Sequence, residues 1–368
     1  KKRGCVTMNS ASIDLAQQLA LEISPVFAVE AITTGLDRQT INLQGRLLTD
    51  SETAYAHMEA RFKAYGYTPI LRKRHDQVVV SALPIVFSAK PTQEYGAILL
   101  FILTVLSVLY AGALMQAPDP LWPLMHLQAG LPFASGLLTI LVAHELGHYL
   151  TARRMGVPTS LPYFIPMPLN FFGTMGAIIR ARAPMRNRRQ VLALGAAGPL
   201  TGLIVAIPIL IFGLMQSQVL PIPRRPGIIM EGNFLLYALL KFLVFGRFLP
   251  SHGYDVFLHP TAFGAWAALL VTGLNLMPAG QLDGGHVAYA LLGKNARWLS
   301  RVAVIAALAL GMIWSGWFLF ALLLIVFGQR HAEPLDDVTP LTTKEKAFAV
   351  FMLLVFVLLF TPVPLTIQ

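Results

Sequence analysis

"LVAHELGHYL", residues 141–150, lies inside a run that is otherwise apolar from Leu131 to Ala152. About 20 apolar residues cross the hydrocarbon core of a bilayer as a helix, so the run reads as a transmembrane helix with two histidines and a glutamate in its second half. Ionisable groups at that depth are costly and are kept mainly for function. Helical residues four apart sit about 40° apart around the axis and about 6 Å apart along it. His144 and His148 can therefore point two imidazoles at one cation. Glu145, about 100° from His144, can reach a ligand on the same cation without coordinating it. This is the HExxH arrangement, in which two histidines bind zinc and the glutamate is the general base. With nine His and nine Glu in 368 residues, random placement would produce it about 0.5% of the time. The alternative is a polar patch that glues helices together.

A zinc hydrolase needs a third protein ligand and an open position for water. A continuation of the motif with Gly at 151 and His at 154 is absent, because those positions hold Thr151 and Arg154. The other apolar segments contain one further acid at membrane depth, Asp283 in "NLMPAGQLDGGH" (275–286). It is the third ligand by elimination, against the plainer reading of an acid in a helix-ending turn. His286 is a weaker candidate, as a loop histidine or a donor to a ligand. Pro278, Gly280, Gly284 and Gly285 are expected to break the helix, which is tolerated at that depth where backbone lines a polar cavity.

The composition agrees with a membrane protein: 55% of residues are hydrophobic and 12% charged, against about 25% charged in soluble chains. Candidate spans are 96–117, 131–152, 190–215, 261–278 and 345–361. The run 298–327, with "WSGW" (314–317) near its middle, reads as a hairpin of two short helices, with one long tilted helix as the alternative. The expected fold is thus a polytopic α-helical membrane protein of about six or seven transmembrane helices, in a domain from 95 to 368. The shorter "GNFLLYALLKFLVFG" (232–246) reads as an interfacial helix. Residues 10–90 read as a small soluble α+β domain. In it "DSETAYAHMEARFKAYGY" has a cap at Asp50 or Ser51, an apolar face of Tyr55, Met58, Phe62 and Tyr65, and a stop at Gly66. "INLQGRLL", "TPILRKR" and "QVVVSALP" read as strands, the last two paired across His75-Asp76.

The net charge of +10 would suit nucleic acid, but its placement argues against that partner. If the N-terminal domain is cytoplasmic, 24 of the 28 Lys and Arg fall on the inner side, leaving Arg224, Arg225, Lys241 and Arg247 outside. That asymmetry is a topology signal. His148 then lies about 7 Å along the helix from Arg153, and 261–278 also runs inward, so both motifs meet near the cytoplasmic face. The single cysteine, Cys5, excludes an intrachain disulfide. Lys1–Arg3 resemble a signal-peptide start, but Asp14, Glu22 and Glu30 interrupt any secretory apolar region. No transit peptide is apparent either, which points to a bacterial inner membrane.

Two further stretches lie between the motifs. "NFFGTMGAIIR" (170–180) is glycine-spaced and β-capable, and reads either as an edge strand that pairs with an extended substrate or as an ordinary bulged loop. "LGAAGPLTG" (194–202) offers small-residue faces for close helix packing.

"HELGH" (144–148) and "NLMPAGQLDGG" (275–285) resemble the two signature motifs of the site-2 protease family of intramembrane zinc metalloproteases. "SLPYFIPMPLNFFGTMGAIIRARAP", "AAGPLTG" and "HPTAFGAWAALLVTGLNLMPAGQLDGGH" are similar to its EGY-like branch, over a catalytic core of about 131–290. The resemblance implies one zinc at His144, His148 and Asp283, with Glu145 activating the water. It also implies that the stretch around Gly173 and Gly176 presents substrate and that Asn275 holds substrate or the oxyanion. A PDZ-like insertion would not fit in 156–189, so the N-terminal domain is the remaining candidate for screening substrates. The expected function is endoproteolysis of transmembrane or membrane-anchored proteins in the bilayer. A catalytically silent scaffold of the same fold would have no need of Glu145, and a metal transporter would spread its ligands along several helices.

Overall fold

The computed structural model describes residues 10–35, 39–87, 94–117, 119–223, 229–327 and 331–367. They form two compact units, each continuous in space and discontinuous in sequence.

The first unit begins with α1 (Ser10–Ile23), β1 (Phe27–Thr34), β2 (Ile41–Leu47), α2 (Ser51–Ala64), β3 (Thr68–Arg74) and β4 (Gln77–Leu83). A helix followed by a hairpin thus occurs twice. The strands make one antiparallel sheet in the order β1-β2-β4-β3. Helix α2 starts where its cap predicts, with the Asp50 side chain accepting the Thr53 N–H at 2.9 Å. Tyr55, Met58 and Phe62 from its apolar face pack with Leu19 and Ile23 of α1 and with Phe27, Leu43, Leu71 and Val80 of the sheet. The expected strands are β2, β3 and β4. Strand β1 escaped the sequence reading because its register shifts between Val29 and Ala31, at Glu30. A bulge of that kind breaks the period-two alternation by which strands are recognised.

Two later segments, 182–191 and 332–342, complete this unit. The Leu71 N–H donates to Leu335 O at 2.9 Å, and the Asp337 N–H donates back to Leu71 O at 3.2 Å. Residues 335–337 thus continue the sheet beyond β3. Behind them, Leu335 and Asp336 donate to Met185 O and Arg186 O at 2.9 and 2.6 Å. Ion pairs Arg186–Glu59 (2.6 Å), Arg188–Asp337 (2.8 Å) and Arg189–Glu52 (2.6 Å) surround the seam.

The second unit holds α3 (Tyr95–Leu114), α4 (Trp122–Met125), α5 (Leu131–Arg154), β5 (Tyr163–Pro166), β6 (Thr174–Ile178) and most of α6 (Arg188–Met215). It continues with β7 (Gln218–Pro221), β8 (Ile229–Glu231), α7 (Leu235–Phe245), β9 (Tyr254–Phe257), α8 (Pro260–Asn275) and α9 (Asp283–Leu292). It ends with α10 (Ala296–Leu310), α11 (Gly316–Phe327), α12 (Thr343–Leu359) and β10 (Leu365–Ile367). Tyr95–Leu114, Leu127–Arg154 and Arg188–Met215 are long and apolar enough to cross a membrane. The expected spans near 261–278 and 345–361 form α8 and α12, of 16 and 17 residues. The run 298–327 is two helices, α10 and α11, interrupted at 311–315. Leu99, Ile102 and Leu106 on α3, Leu319 and Leu322 on α11 and Leu354 on α12 are exposed. Such apolar faces suit lipid and not water.

Helices α5 and α8 run in the same direction and nearly touch. A Cβ on Gly136 would sit 2.4 Å from Thr261 O, and one on Gly264 would sit 2.3 Å from Phe133 O. Their N-terminal ends thus share one end of the bundle. Strands β5 and β6 form a hairpin beside them. Its base lies near the end of α5, where the Ser160 N–H donates to Arg180 O at 3.1 Å. Its tip reaches the other end, where Phe171 meets Phe263 of α8 with ring centroids 5.7 Å apart.

Candidate metal centre

His144 and His148 sit on one face of α5, buried to 2% and 9% exposure. Asp283 arrives from a different part of the chain. Helix α8 stops at Asn275, the chain turns through Pro278 and Gly280, and α9 begins at Asp283. The turn folds back onto α9 so closely that a Cβ on Gly284 would fall 1.8 Å from Leu276 O, and one on Gly285 would fall 2.4 Å from Gly280 O. The glycines of "LDGG" thus make room for the turn that aims the carboxylate. The Ser300 hydroxyl of α10 accepts the Gly280 N–H at 3.0 Å and ties the turn down. The first turn of α9 places Asp283 at the positive end of a helix dipole, which favours the carboxylate.

His144 Nε2 lies 3.2 Å from Asp283 Oδ2, His148 Nε2 lies 3.3 Å from the same oxygen, and the two Nε2 atoms are 3.2 Å apart. Around a zinc ion with nitrogen and oxygen ligands at about 2.0–2.1 Å, the edges of a tetrahedron are about 3.3 Å long. The three atoms therefore form one face of such a tetrahedron and leave its fourth corner for water. His148 Nδ1 donates to Leu194 O at 2.8 Å, which turns the Nε2 lone pair of the neutral ring towards the group. The three atoms are close enough together for one metal ion to be held between them. The described residues contain no other cluster of three such ligands.

Glu145 follows His144 on α5 and is buried to 6% exposure. Asn275 ends α8, half-buried, across the turn from Asp283. Gly173 and Gly176 belong to the β5–β6 hairpin, which packs mainly on α3 and also touches α5. The Ser107 hydroxyl of α3 donates to Gly173 O at 2.6 Å. Gly173 and Gly176 both adopt positive φ, +75° and +91°. A Cβ on Gly173 would meet Ser107 O at 2.6 Å, whereas one on Gly176 faces open space. "NFFGTMGAIIR" thus contains a true strand, β6, paired on one side with β5.

Some residues of this centre escaped the sequence reading. A Cβ on Gly198 would lie 2.1 Å from His148 Nε2, and one on Gly202 would lie 3.3 Å from His144 Cβ. The small residues of "LGAAGPLTG" make room for imidazoles as well as for a neighbouring helix. The signal was the coincidence of that stripe with a polar-faced helix. His286 is not among the converging ligands. Its Nδ1 lies 2.5 Å from Nε2 of His331, a residue for which spacing offered no signal.

Residues 132–319 match peptidase family M50. The chain is 30% identical over 346 residues to the Arabidopsis thaliana protein named probable zinc metalloprotease EGY2, chloroplastic, covering 88% of this chain and 59% of the relative. It is 31% identical over 255 residues to the Arabidopsis thaliana protein named probable zinc metalloprotease EGY1, chloroplastic, covering 68% and 46%. An Oryza sativa subsp. indica protein, also named EGY2, is 33% identical over 229 residues, covering 61% and 41%. The chain spans about half the length of the curated relatives it matches. No solved structure matches it.

Proposed function

The chain belongs to peptidase family M50, and from that membership and the geometry of the centre we propose that it is an intramembrane zinc endopeptidase. Its substrates are transmembrane or membrane-anchored proteins, cut in or near their spans. The observation that carries this reading is the convergence of His144 Nε2, His148 Nε2 and Asp283 Oδ2 within 3.2–3.3 Å, with both histidines on a helix long enough to cross a bilayer. Zinc held by these three residues would lower the pKa of a bound water towards 7 and polarise a carbonyl.

The chain's own groups do the rest. The Leu194 carbonyl holds His148 in the tautomer that ligates. Glu145, beside His144, takes a proton from the attacking water and delivers it to the leaving amine. A helical substrate hides its carbonyls in internal hydrogen bonds, so it must unwind before attack. The unpaired edge of β6, flanked by Gly173 and Gly176, can hold the unwound segment by backbone pairing. The Asn275 amide is a donor for its carbonyl. The distribution of basic residues supports a centre nearer the cytoplasmic face.

Glu145→Gln and Asp283→Asn, purified in detergent and assayed on a membrane-anchored substrate, test this reading. Glu145→Gln should keep about one zinc per chain while cleavage falls about 10²–10⁴-fold. Asp283→Asn should lose most of the zinc. Unchanged cleavage by Glu145→Gln would leave a scaffold of the same fold as the better account.

A further inference from the structure

At the end of the bundle away from His148 lies a cavity of about 370 Å³ that takes no part in metal binding. Its walls are Met115 after α3, Phe171 at the hairpin tip, Phe263 on α8, and residues of β8 and β9. Strand β8 pairs only with β10 among the described residues and so keeps an unpaired edge, whereas β9 pairs with β7 and is closed at Tyr254 by a bridge to Ser251. Both strands border the same space.

The polar groups of this cavity are Glu231 and Asp255. Asp255 Oδ1 accepts its neighbour's N–H, from Val256, at 2.8 Å and faces the fully buried Lys241 at 3.3 Å. Glu231 accepts the Tyr237 hydroxyl at 2.7 Å through Oε1. The Lys241 ammonium pairs with Asp255, so among the described residues Glu231 carries a carboxylate oxygen with no cationic partner. The apolar walls would cover the stem of a lysine or arginine whose head reaches that oxygen.

The hairpin connects this cavity to the metal centre. Phe171 lines the cavity, and β6 runs from there back along the bundle towards the end of α5. Phe133, beside Phe263 with ring centroids 5.9 Å apart, precedes His144 and His148 on α5 by about 16–22 Å of helix rise. An extended peptide covers that in about five to seven residues at 3.3 Å each. Building on the endopeptidase reading, we propose that the cavity is a specificity subsite for the extended flank of the substrate, taking a lysine or arginine about five to seven residues from the scissile bond.

The test uses the full-length protein in detergent with paired substrates, one apolar membrane segment whose flank carries either Lys or Glu at that distance. The wild type should cleave the Lys substrate with kcat/KM about tenfold higher. Glu231→Gln should erase the preference, and Met230→Trp, which fills the cavity without touching the ion network, should do the same. Both should retain zinc and cleave a substrate truncated before the flank at the wild-type rate. Independently of cleavage, a photo-cross-linker at Met230 in the Glu145→Gln background should capture the Lys substrate and not the Glu one. A wild type that cleaves both equally, or a preference that survives both variants, overturns the subsite and leaves the peptidase standing. A wild type that cleaves neither, even the truncated one, overturns the endopeptidase reading itself, whereas cross-linking alone still decides the subsite.

Discussion

Gly198 has space for a hydrogen where alanine would carry a methyl group. A Cβ there would lie 2.1 Å from His148 Nε2, an atom held from its other side by the Leu194 carbonyl through Nδ1. The imidazole cannot retreat without losing that bond. Gly198→Ala should therefore weaken zinc binding by about 100-fold, the loss typical of disturbed support around a metal ligand. Zinc per chain after dialysis against a graded chelator checks this, and retention equal to the wild type would show that α6 can move away. His144 and His148 were legible as candidate ligands because one helix fixes their spacing. Gly198 was not, because its role depends on a contact 50 residues away along the chain.

At the scale of elements, the proposed presentation of substrate rests on the β5–β6 hairpin, an element distinct from the helices that carry the proposed metal site. Gly173→Ala would force Cβ against Ser107 O at 2.6 Å and Val108 Cα at 2.7 Å, at a φ of +75°. That should lift the hairpin from α3 and reduce kcat/KM at least tenfold with zinc retained. Gly176→Ala meets no atom within 4 Å and carries only the backbone cost of its positive φ, about 1–2 kcal/mol. Limited proteolysis should therefore open the hairpin in Gly173→Ala much faster than in Gly176→Ala. Equal cleavage of the two would mean that the contact with Ser107 does not hold the hairpin. The break before Asp283 was predictable, since Pro278 and Gly280 stop a helix by local chemistry. The pairing of β6 with β5 was not, because the Tyr163–Pro166 segment shows no alternation long enough to read as a strand.

At the scale of the whole molecule, the sheet of the first unit is completed by chain that arrives more than 90 residues later. Asp336 anchors that seam, accepting the N–H groups of Val338 and Thr339 at 2.8 and 3.1 Å while only 1% exposed. Burial pushes its carboxyl above the usual value of 3.8, although these hydrogen bonds pull the other way. The folded unit therefore binds the proton more tightly than the unfolded chain does. Its contribution is greatest in acid and is lost as pH rises from the unfolded value through the folded pKa. Asp336→Asn, which keeps an acceptor but carries no charge, should remove that decline. Hydrogen exchange at the Leu71 amide, which bonds Leu335 O at 2.9 Å, should be slower than wild type near pH 7, once intrinsic exchange is corrected for, and alike near pH 3. Slower exchange in the wild type at neutral pH would mean that the charged hydrogen bonds outweigh burial.

By itself the sequence determined which segments are apolar enough for lipid, where helices must break, and which residues are candidates for metal chemistry. Those properties follow from composition, from the 3.6-residue period and from the backbone limits of proline and glycine, all of them local. Only the tertiary structure decided that Asp283 meets the histidines, that the stripe on α6 makes room for their rings, and that 332–342 extends an N-terminal sheet. Each of these is a contact between residues far apart in the chain, where no spacing rule operates and packing alone selects the partner.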